Sequence, residues 1–107
     1  MTNEEIQSEI SSITKQIVDK YRPQKIILFG SAAKGKFTPD SDLDFFILKK
    51  NVPNLGRDRY RELSKMVERN IAVDFLIYKP EEFSRGVKAG DPFLKTVLNE
   101  GKTLYGD

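Results

Sequence analysis

The stretch KIILFGSAAKGKFTPDSDLDFFIL, residues 25–48, decides the fold of this chain. It contains two apolar runs bounded by Gly, Pro or Asp, which predict buried β-strands at residues 25–29 and 42–49. Alternate residues of a strand point to the same face, so Asp42 and Asp44 are predicted to present their carboxylates side by side. Two neighbouring anions raise each other's pKa, and a fold retains such a pair mainly where a cation lies between them.

The connection between these two strands begins with Gly30-Ser31, directly after the first apolar run. The short, Ala-rich segment 30–36 predicts one or two helical turns, and residues 38–41 predict a turn. A Gly-Ser turn allows the backbone to approach a phosphate chain, and carboxylates are hard oxygen ligands. Together they suggest Mg²⁺ and a nucleoside triphosphate.

The rest of the chain alternates between helical and strand patterns. Thr2 and Glu5 have the spacing of a capping box, and Ile residues recur at helical spacing until Tyr21, shortly before Pro23. A helix is predicted at residues 57–70 and a strand at residues 71–78. A short helix is predicted to start with residues 80–83, and another to start at Asp91-Pro92 and end at Gly101. The apolar side of the last helix comprises Phe93, Leu94, Val97 and Leu98. The predicted fold class is α/β (α+β), a small mixed β-sheet of at least three strands flanked by helices, in one domain over residues 1–107.

Asp74 is an isolated acid in the otherwise apolar strand at residues 71–78. A buried carboxylate without a partner is costly, so this position needs an explanation. One interpretation is a surface acid on an edge strand. The other is a third carboxylate that strand pairing brings beside Asp42 and Asp44.

Composition limits the chemistry that the 107 residues can perform. The chain has no Cys and no His, which excludes disulfides, thiolate or imidazole zinc sites, Cys nucleophiles and Ser-His-Asp triads. Catalysis would use carboxylates, hydroxyls, Lys, Arg or metal ions. The apolar runs are too short to span a membrane and the first residues contain no secretory segment, so a cytoplasmic location is expected. The net charge of +2 does not by itself indicate nucleic-acid binding.

The predicted helix at residues 57–70 carries four basic residues at a spacing of four. They are Arg57, Arg61, Lys65 and Arg69. This stripe could contact an acidic partner or nucleic acid. It could also be a solvated face with pairs such as Asp58–Arg61, and the second interpretation is favoured because acids interrupt the stripe.

The motifs resemble the signature of the minimal nucleotidyltransferases, which belong to the DNA polymerase beta superfamily. The matching residues are Phe29-Gly30-Ser31, Lys34-Gly35 and Pro39-Asp40-Ser41-Asp42-Leu43-Asp44. Asp74 falls where this family has its third acid, and residues 80–83 and 100–105 are similar to the family's usual ending. The resemblance covers nearly the whole chain and implies the nucleotidyltransferase fold.

The resemblance implies nucleotidyl transfer that depends on two Mg²⁺ ions. A hydroxyl would attack the α-phosphorus of ATP or another NTP, and pyrophosphate would leave. The implied catalytic and metal-binding residues are Asp42, Asp44 and Asp74, and Asp74 would help to take the proton. The implied nucleotide contacts are Gly30, Ser31, Lys34 and Ser41.

The resemblance also implies a partner protein. Minimal nucleotidyltransferases are often encoded beside a small helical HEPN protein as the antitoxin of a toxin–antitoxin pair. In that setting the acceptor can be a tyrosine hydroxyl of the toxin, which becomes adenylylated. Larger relatives close over the base with a helical domain that is not seen here, so this partner or a homodimer is expected to complete the site.

Two other functions stay open from the sequence. Many family members have Arg directly after Gly-Ser, whereas this chain has Ala32, and Lys34 could supply the charge but not the bidentate geometry of Arg. The chain could therefore be a non-catalytic module that neutralises its HEPN partner by contact alone. A third hypothesis is a transferase that acts on RNA ends or on a small molecule such as an aminoglycoside. The intact Gly-Ser turn and the three acids favour the protein-modifying enzyme.

Overall fold

The computed structural model describes residues 1–38 and 40–106, which form five helices and four strands. In chain order the elements are α1 (Asn3–Tyr21), β1 (Lys25–Phe29), α2 (Gly30–Ala33), β2 (Leu43–Leu48), α3 (Gly56–Ser64), β3 (Val73–Tyr78), α4 (Pro80–Lys88), α5 (Pro92–Glu100) and β4 (Lys102–Tyr105). The predicted turn at residues 38–41 includes Pro39, which lies outside the described residues. In the described part of that turn, the Ser41 N–H donates to the Thr38 carbonyl.

The four strands form one mixed sheet in the order β3-β2-β1-β4. Strand β2 pairs antiparallel with β1 and parallel with β3, and β4 pairs antiparallel with β1. This confirms the predicted mixed α/β fold with at least three strands. Strand β4 was not predicted from the sequence, because its four residues show no alternation of buried and exposed side chains and only Leu104 is partly buried.

Each face of the sheet packs against a different set of helices, as the alternation in β2 predicted. Leu43, Phe45 and Ile47 face the larger core cluster, which includes α1 and α3. Phe46 and Leu48 face a smaller cluster with the buried side of α5. Asp44 and Phe46 are two residues apart in β2, so the acid lies on the face of the sheet that α5 covers.

Helix α1 has the boundaries that its local chemistry predicted. The Glu5 N–H donates to Thr2 Oγ1 and the Thr2 N–H donates to Glu5 Oε1, which completes the capping box. The buried stripe consists of Ile6, Ile10, Ile13 and Ile17. The helix ends at Tyr21, and Arg22, the residue before proline, takes a left-handed conformation with φ of 56°.

The prediction of a helix over residues 57–70 is wrong at its second half, because α3 ends at Ser64. The guanidinium of Arg69 donates to the carbonyls of Ser64 and Val67 at 3.2 and 3.0 Å and to Ser64 Oγ at 2.9 Å. A basic side chain at a helix C-terminus satisfies carbonyls that have no helical partner. Arg69 therefore folds back onto the end of the helix, and the predicted stripe of four basic residues on one helix does not form.

Helix α5 begins as predicted but buries less of its apolar side. Asp91 caps it by accepting from the N–H groups of Phe93 and Leu94 at 2.9 and 3.3 Å. Leu94 and Val97 are buried, whereas Phe93 and Leu98 are 38% and 45% exposed. Helical geometry places these two exposed residues on opposite flanks of the buried stripe. The predicted apolar side is therefore buried at its centre and exposed at both flanks.

A buried ion pair that the sequence did not predict joins α3 to α4. Arg59 is only 6% exposed, and its guanidinium donates to Glu82 Oε1 and Oε2 at 2.7 and 3.0 Å. It also donates to the carbonyls of Pro53 and Ile77 at 2.6 and 3.0 Å. This cluster lies at the C-terminal end of β3, away from Asp74 at the start of that strand. Within residues 1–38 and 40–106, no helix combines the length and apolar character that crossing a bilayer requires.

Candidate active site

Three acidic residues lie at the N-terminal ends of the two parallel strands. Asp42 immediately precedes β2, Asp44 is the second residue of β2, and Asp74 is the second residue of β3. Asp44 and Asp74 are Cα partners in the parallel register. Directly paired residues point to the same face, so the fold brings Asp74 beside Asp44. Strand β3 is also an edge of the sheet, which explains why Asp74 is exposed.

Asp44 is the acid whose environment is most unfavourable to a negative charge. Its side chain is partly buried, while Asp42 and Asp74 are exposed. Burial raises the pKa of the Asp44 carboxyl, and the negative charges of Asp74 and Asp42 raise this pKa further. Asp44 is therefore close enough to both other acids to be repelled by them, and a bound cation would relieve that repulsion.

Gly30 allows the turn after β1 to approach Asp44. Phe29 is the antiparallel partner of Asp44, so the next residue lies directly against that carboxylate. A Cβ at Gly30 would collide with Oδ2 of Asp44, and Gly30 has a φ of +72°. Both the space and the backbone conformation favour glycine. Ser31 follows at the start of α2 and is partly exposed.

Lys34 and Ser41, the two remaining candidates for nucleotide contact, have other partners. The Lys34 ammonium lies 3.1 Å from Oε1 of Glu100, at the last residue of α5. Ser41 Oγ accepts from the Thr38 N–H at 3.1 Å and forms a hydrogen bond of 3.0 Å with Thr38 Oγ1. Ser41 thus stabilises the turn that leads to Asp42. The described structure brings Asp42, Asp44, Asp74 and Gly30 together, and Lys34 would have to leave Glu100 to reach a phosphate.

Comparison with known proteins identifies the family. Residues 8–104 match the model of the nucleotidyltransferase domain. This chain belongs to the nucleotidyltransferase domain family. The resemblance to minimal nucleotidyltransferases is thereby confirmed, and the chain is a nucleotidyltransferase.

Relatives and structural neighbours agree with that assignment. "Putative protein adenylyltransferase MJ0604" of Methanocaldococcus jannaschii is 32% identical, over 90% of this chain and 94% of that protein. "Protein adenylyltransferase MntA" of Thermococcus cleftensis is 26% identical, over 94% of this chain and 93% of that protein. A crystal structure of a toxin–antitoxin complex with AMP-PNP contains a chain with a similar fold. Its TM-score is 0.60 at 23% identity, covering 91% of this chain and 73% of that chain.

The donor set of this nucleotidyltransferase fits a hard divalent cation. Three carboxylates lie close together on adjacent strand ends, and the partly buried Asp44 is held where its charge is disfavoured. Among the described residues, no three acidic side chains converge closely enough to hold one metal ion as they are oriented here. The exposed side chains of Asp42 and Asp74 would therefore have to turn toward Asp44 when a metal binds.

One cavity of this nucleotidyltransferase lies beside the acids rather than over them. It has a volume of about 470 Å³ and reaches Asp42 but neither Asp44 nor Asp74. Its walls come from the start of α1, from Phe37, Thr38, Asp40 and Ser41, and from residues 70–72. The chemistry of the carboxylates is therefore a better guide to the site than the size of this cavity.

An aromatic pair borders the acids on the side of β1. Phe29, the cross-strand partner of Asp44, contacts Phe93 of α5 edge to face, with ring centroids 5.6 Å apart and planes at 81°. The sequence did not predict this pair, because it placed Phe93 on the apolar side of its helix without showing what that residue contacts. The spacing of Phe93 from Leu94 and Val97 was compatible with a flank position, but only the packing of α5 on β1 shows it.

Proposed function

We propose that this nucleotidyltransferase transfers AMP from ATP to a hydroxyl group of a protein. The observation that carries the proposal is the register of Asp44 with Asp74, beside Asp42 and the Gly30 turn. The names of the relatives support adenylyl transfer to protein as the reaction. The AMP-PNP in the structural neighbour supports an adenine nucleotide as donor, since AMP-PNP is an analogue of ATP.

The residues have distinct roles in the proposed reaction. Asp42, Asp44 and Asp74 would hold two Mg²⁺ ions, which neutralise phosphate charge and lower the pKa of the acceptor hydroxyl when bound. Gly30 would let the backbone approach the phosphate chain, and the Ser31 hydroxyl can donate a hydrogen bond to a phosphate oxygen. The acceptor oxygen bonds to the α-phosphorus, the bond to the β-phosphate oxygen breaks, and pyrophosphate leaves. The acceptor proton passes to the Asp74 carboxylate.

The proposed acceptor is a tyrosine hydroxyl of a small helical HEPN-type toxin, which makes this chain the antitoxin. The resemblance of the sequence to minimal nucleotidyltransferases suggests this partner, and the toxin–antitoxin complex among the structural neighbours supports it. The acids lie on strand ends rather than in a closed pocket, so a second protein would complete the acceptor side. The toxin would do so, or a second copy of this chain would.

Label transfer from α-³²P-ATP tests the proposed activity. Purified protein is incubated with Mg²⁺ and a lysate of its native host, and Asp44→Asn is compared with wild type. Asp19→Asn is the matched control, because it makes the same chemical change at an exposed residue of α1. We expect one protein band to carry label with wild type and Asp19→Asn only. Label that persists in Asp44→Asn would contradict the proposal.

A second function is favoured by the ion pair of Lys34 with Glu100. Ala32 rather than Arg follows the Gly-Ser turn. If Lys34 also stays paired with Glu100 in solution, the chain could neutralise a helical toxin by contact alone. Partner capture distinguishes the two functions. Toxin neutralisation that is unchanged in Asp44→Asn would favour the contact-only module, whereas neutralisation lost in Asp44→Asn with capture intact would favour the enzyme.

A further inference from the structure

Phe93 exposes an aromatic ring next to the proposed catalytic acids. It lies in the first turn of α5 and is 38% exposed, although Leu94 beside it is fully buried. Its only aromatic contact within the described part of the chain is the edge-to-face pair with Phe29. The exposed part of the ring is available for contact with a planar ligand.

A single residue, Phe29, connects Phe93 to Asp44. Phe29 is the direct antiparallel partner of Asp44, and directly opposed residues of antiparallel strands have their Cβ atoms about 4.5–5.5 Å apart. Phe29 belongs to the apolar cluster on the face that carries Asp44 and α5. The ring of Phe93 packs on Phe29, so it borders the same side of Asp44 as the Gly30 turn.

The sheet order separates a donor side from an acceptor side of Asp44. Phe29 and Gly30 lie on the β1 side, and Asp74 lies on the β3 side. In an in-line displacement the acceptor enters opposite the leaving pyrophosphate. If the phosphate chain lies at Gly30, the acceptor approaches from Asp74. The nucleoside is joined to the α-phosphorus by an oxygen beside this line, so the base lies off the path of the acceptor. Helix α5 covers the face of the sheet that carries Asp44, and there the ring of Phe93 also lies away from the acceptor side.

We propose that the nucleobase of the donor stacks on the exposed face of Phe93, with Phe29 holding that ring in place. This inference rests on the proposed function, since it takes a nucleoside triphosphate as the donor. A base is planar and has a π-face whichever base it is, so stacking adds affinity without selecting strongly among ATP, GTP, CTP and UTP. It also orients the nucleoside over a surface that has no closed base pocket.

Equilibrium binding of ATP and of tripolyphosphate to the full chain, both with Mg²⁺, tests the proposal. Tripolyphosphate carries the phosphates but no base. Phe93→Leu keeps an apolar side chain and removes the π-face, and Leu98→Ala is the control at the exposed residue on the opposite flank of α5. We expect Phe93→Leu to weaken ATP binding by roughly 5- to 100-fold and to leave tripolyphosphate binding unchanged. Leu98→Ala should leave both unchanged.

Phe93→Trp gives an independent readout, because the chain contains no other tryptophan. Its fluorescence should be quenched by ATP and by GTP but not by tripolyphosphate, and ATP affinity should be retained or increased. Unchanged ATP binding in Phe93→Leu would overturn the stacking. An equal loss of ATP and tripolyphosphate binding would also overturn it, because it would show a structural effect.

The proposed function can fail separately from the stacking. Wild-type protein that binds neither ATP nor tripolyphosphate would contradict nucleotide use and the stacking with it. A different result would overturn only the role of Phe93. Wild-type protein would bind ATP and tripolyphosphate equally well, and Asp44→Asn would bind neither. The proposed site would then be retained.

Discussion

Asp44 and Asp74 are direct partners across the parallel strands β2 and β3. Asp74 follows Asp44 by thirty positions in the sequence, yet the register places both on the same face. Burial raises the pKa of Asp44, and the charges of its partner Asp74 and of Asp42 raise it further. The fold thus holds repelling carboxylates together at a cost to its own stability, which is typical of a site built to bind a cation.

Asp44→Asn should remove activity and raise stability. Asp44 has a folded-state pKa above its usual value, so its ionised form destabilises the fold at neutral pH. We expect label transfer to fall at least about 100-fold, and the melting temperature in EDTA to rise. Thermal melts with and without Mg²⁺ check this. Mg²⁺ should stabilise wild type but not Asp44→Asn, and a lower melting temperature of the variant in EDTA would contradict the argument.

Gly30→Ala should destabilise the protein more than Gly35→Ala. Both glycines have φ near +70°, so alanine costs about 1–2 kcal/mol at either position from backbone strain. Only at Gly30 would the new Cβ also meet the Asp44 carboxylate, because the space around Gly35 is open. We expect an additional loss of about 1–3 kcal/mol in the free energy of unfolding by urea. Equal losses in the two variants would show that Asp44 can move away.

Glu82→Gln should be among the most destabilising polar substitutions. It removes the carboxylate from the buried Arg59 guanidinium, whose remaining partners are backbone carbonyls. We expect the free energy of unfolding to fall by about 2–3 kcal/mol. This is at or below the usual range for a fully buried pair, because Glu82 is partly exposed. Asp19→Asn breaks the exposed pair with Lys15 and should change stability by less than about 1 kcal/mol. Urea unfolding of both variants measures the difference.

The same ion pair predicts a loss of stability in acid. Hydrogen bonds from Arg59 lower the pKa of Glu82 from 4.5 to about 2. A depressed folded-state pKa contributes stability above the unfolded value, and this contribution is lost as pH falls toward the folded value. The free energy of unfolding of wild type should therefore fall between pH 4.5 and 2 more steeply than that of Glu82→Gln. Parallel pH profiles would mean that the pair does not form in solution.

Tyr21→Phe should leave the protein as stable as wild type or make it more stable. The Tyr21 side chain is 3% exposed, and its hydroxyl has no hydrogen-bond partner among the described residues. Burial, and then the charge of Glu62, raise the pKa of Tyr21 to about 12. Removing an unsatisfied buried hydroxyl should raise the free energy of unfolding by up to about 1 kcal/mol. Tyr105→Phe, at an exposed position, is the control, and a loss above 1 kcal/mol in Tyr21→Phe would reveal a bound water.

Local patterns predicted those parts of the fold that local chemistry determines. The capping box of Thr2 and Glu5 and the isoleucine stripe specify α1 without help from the rest of the chain. Strands β1, β2 and β3 follow from short apolar runs, and the alternation in β2 correctly divided its residues between two faces. The helix over residues 57–70 was predicted too long because Arg69 ends α3 through contacts that no periodic pattern reveals.

The sequence by itself determined that Asp44 lies on the face of β2 opposite to Leu43 and Phe45, because side-chain direction along a strand has a fixed period of two. It also determined that Gly30-Ser31 follows β1. Only the tertiary structure decided that Asp74 lies beside Asp44, that Arg59 binds Glu82, and that Phe93 stays exposed beside Phe29. These contacts join residues distant in the chain. They depend on strand order, register and the angle at which each helix packs, and no short segment of sequence encodes those quantities alone.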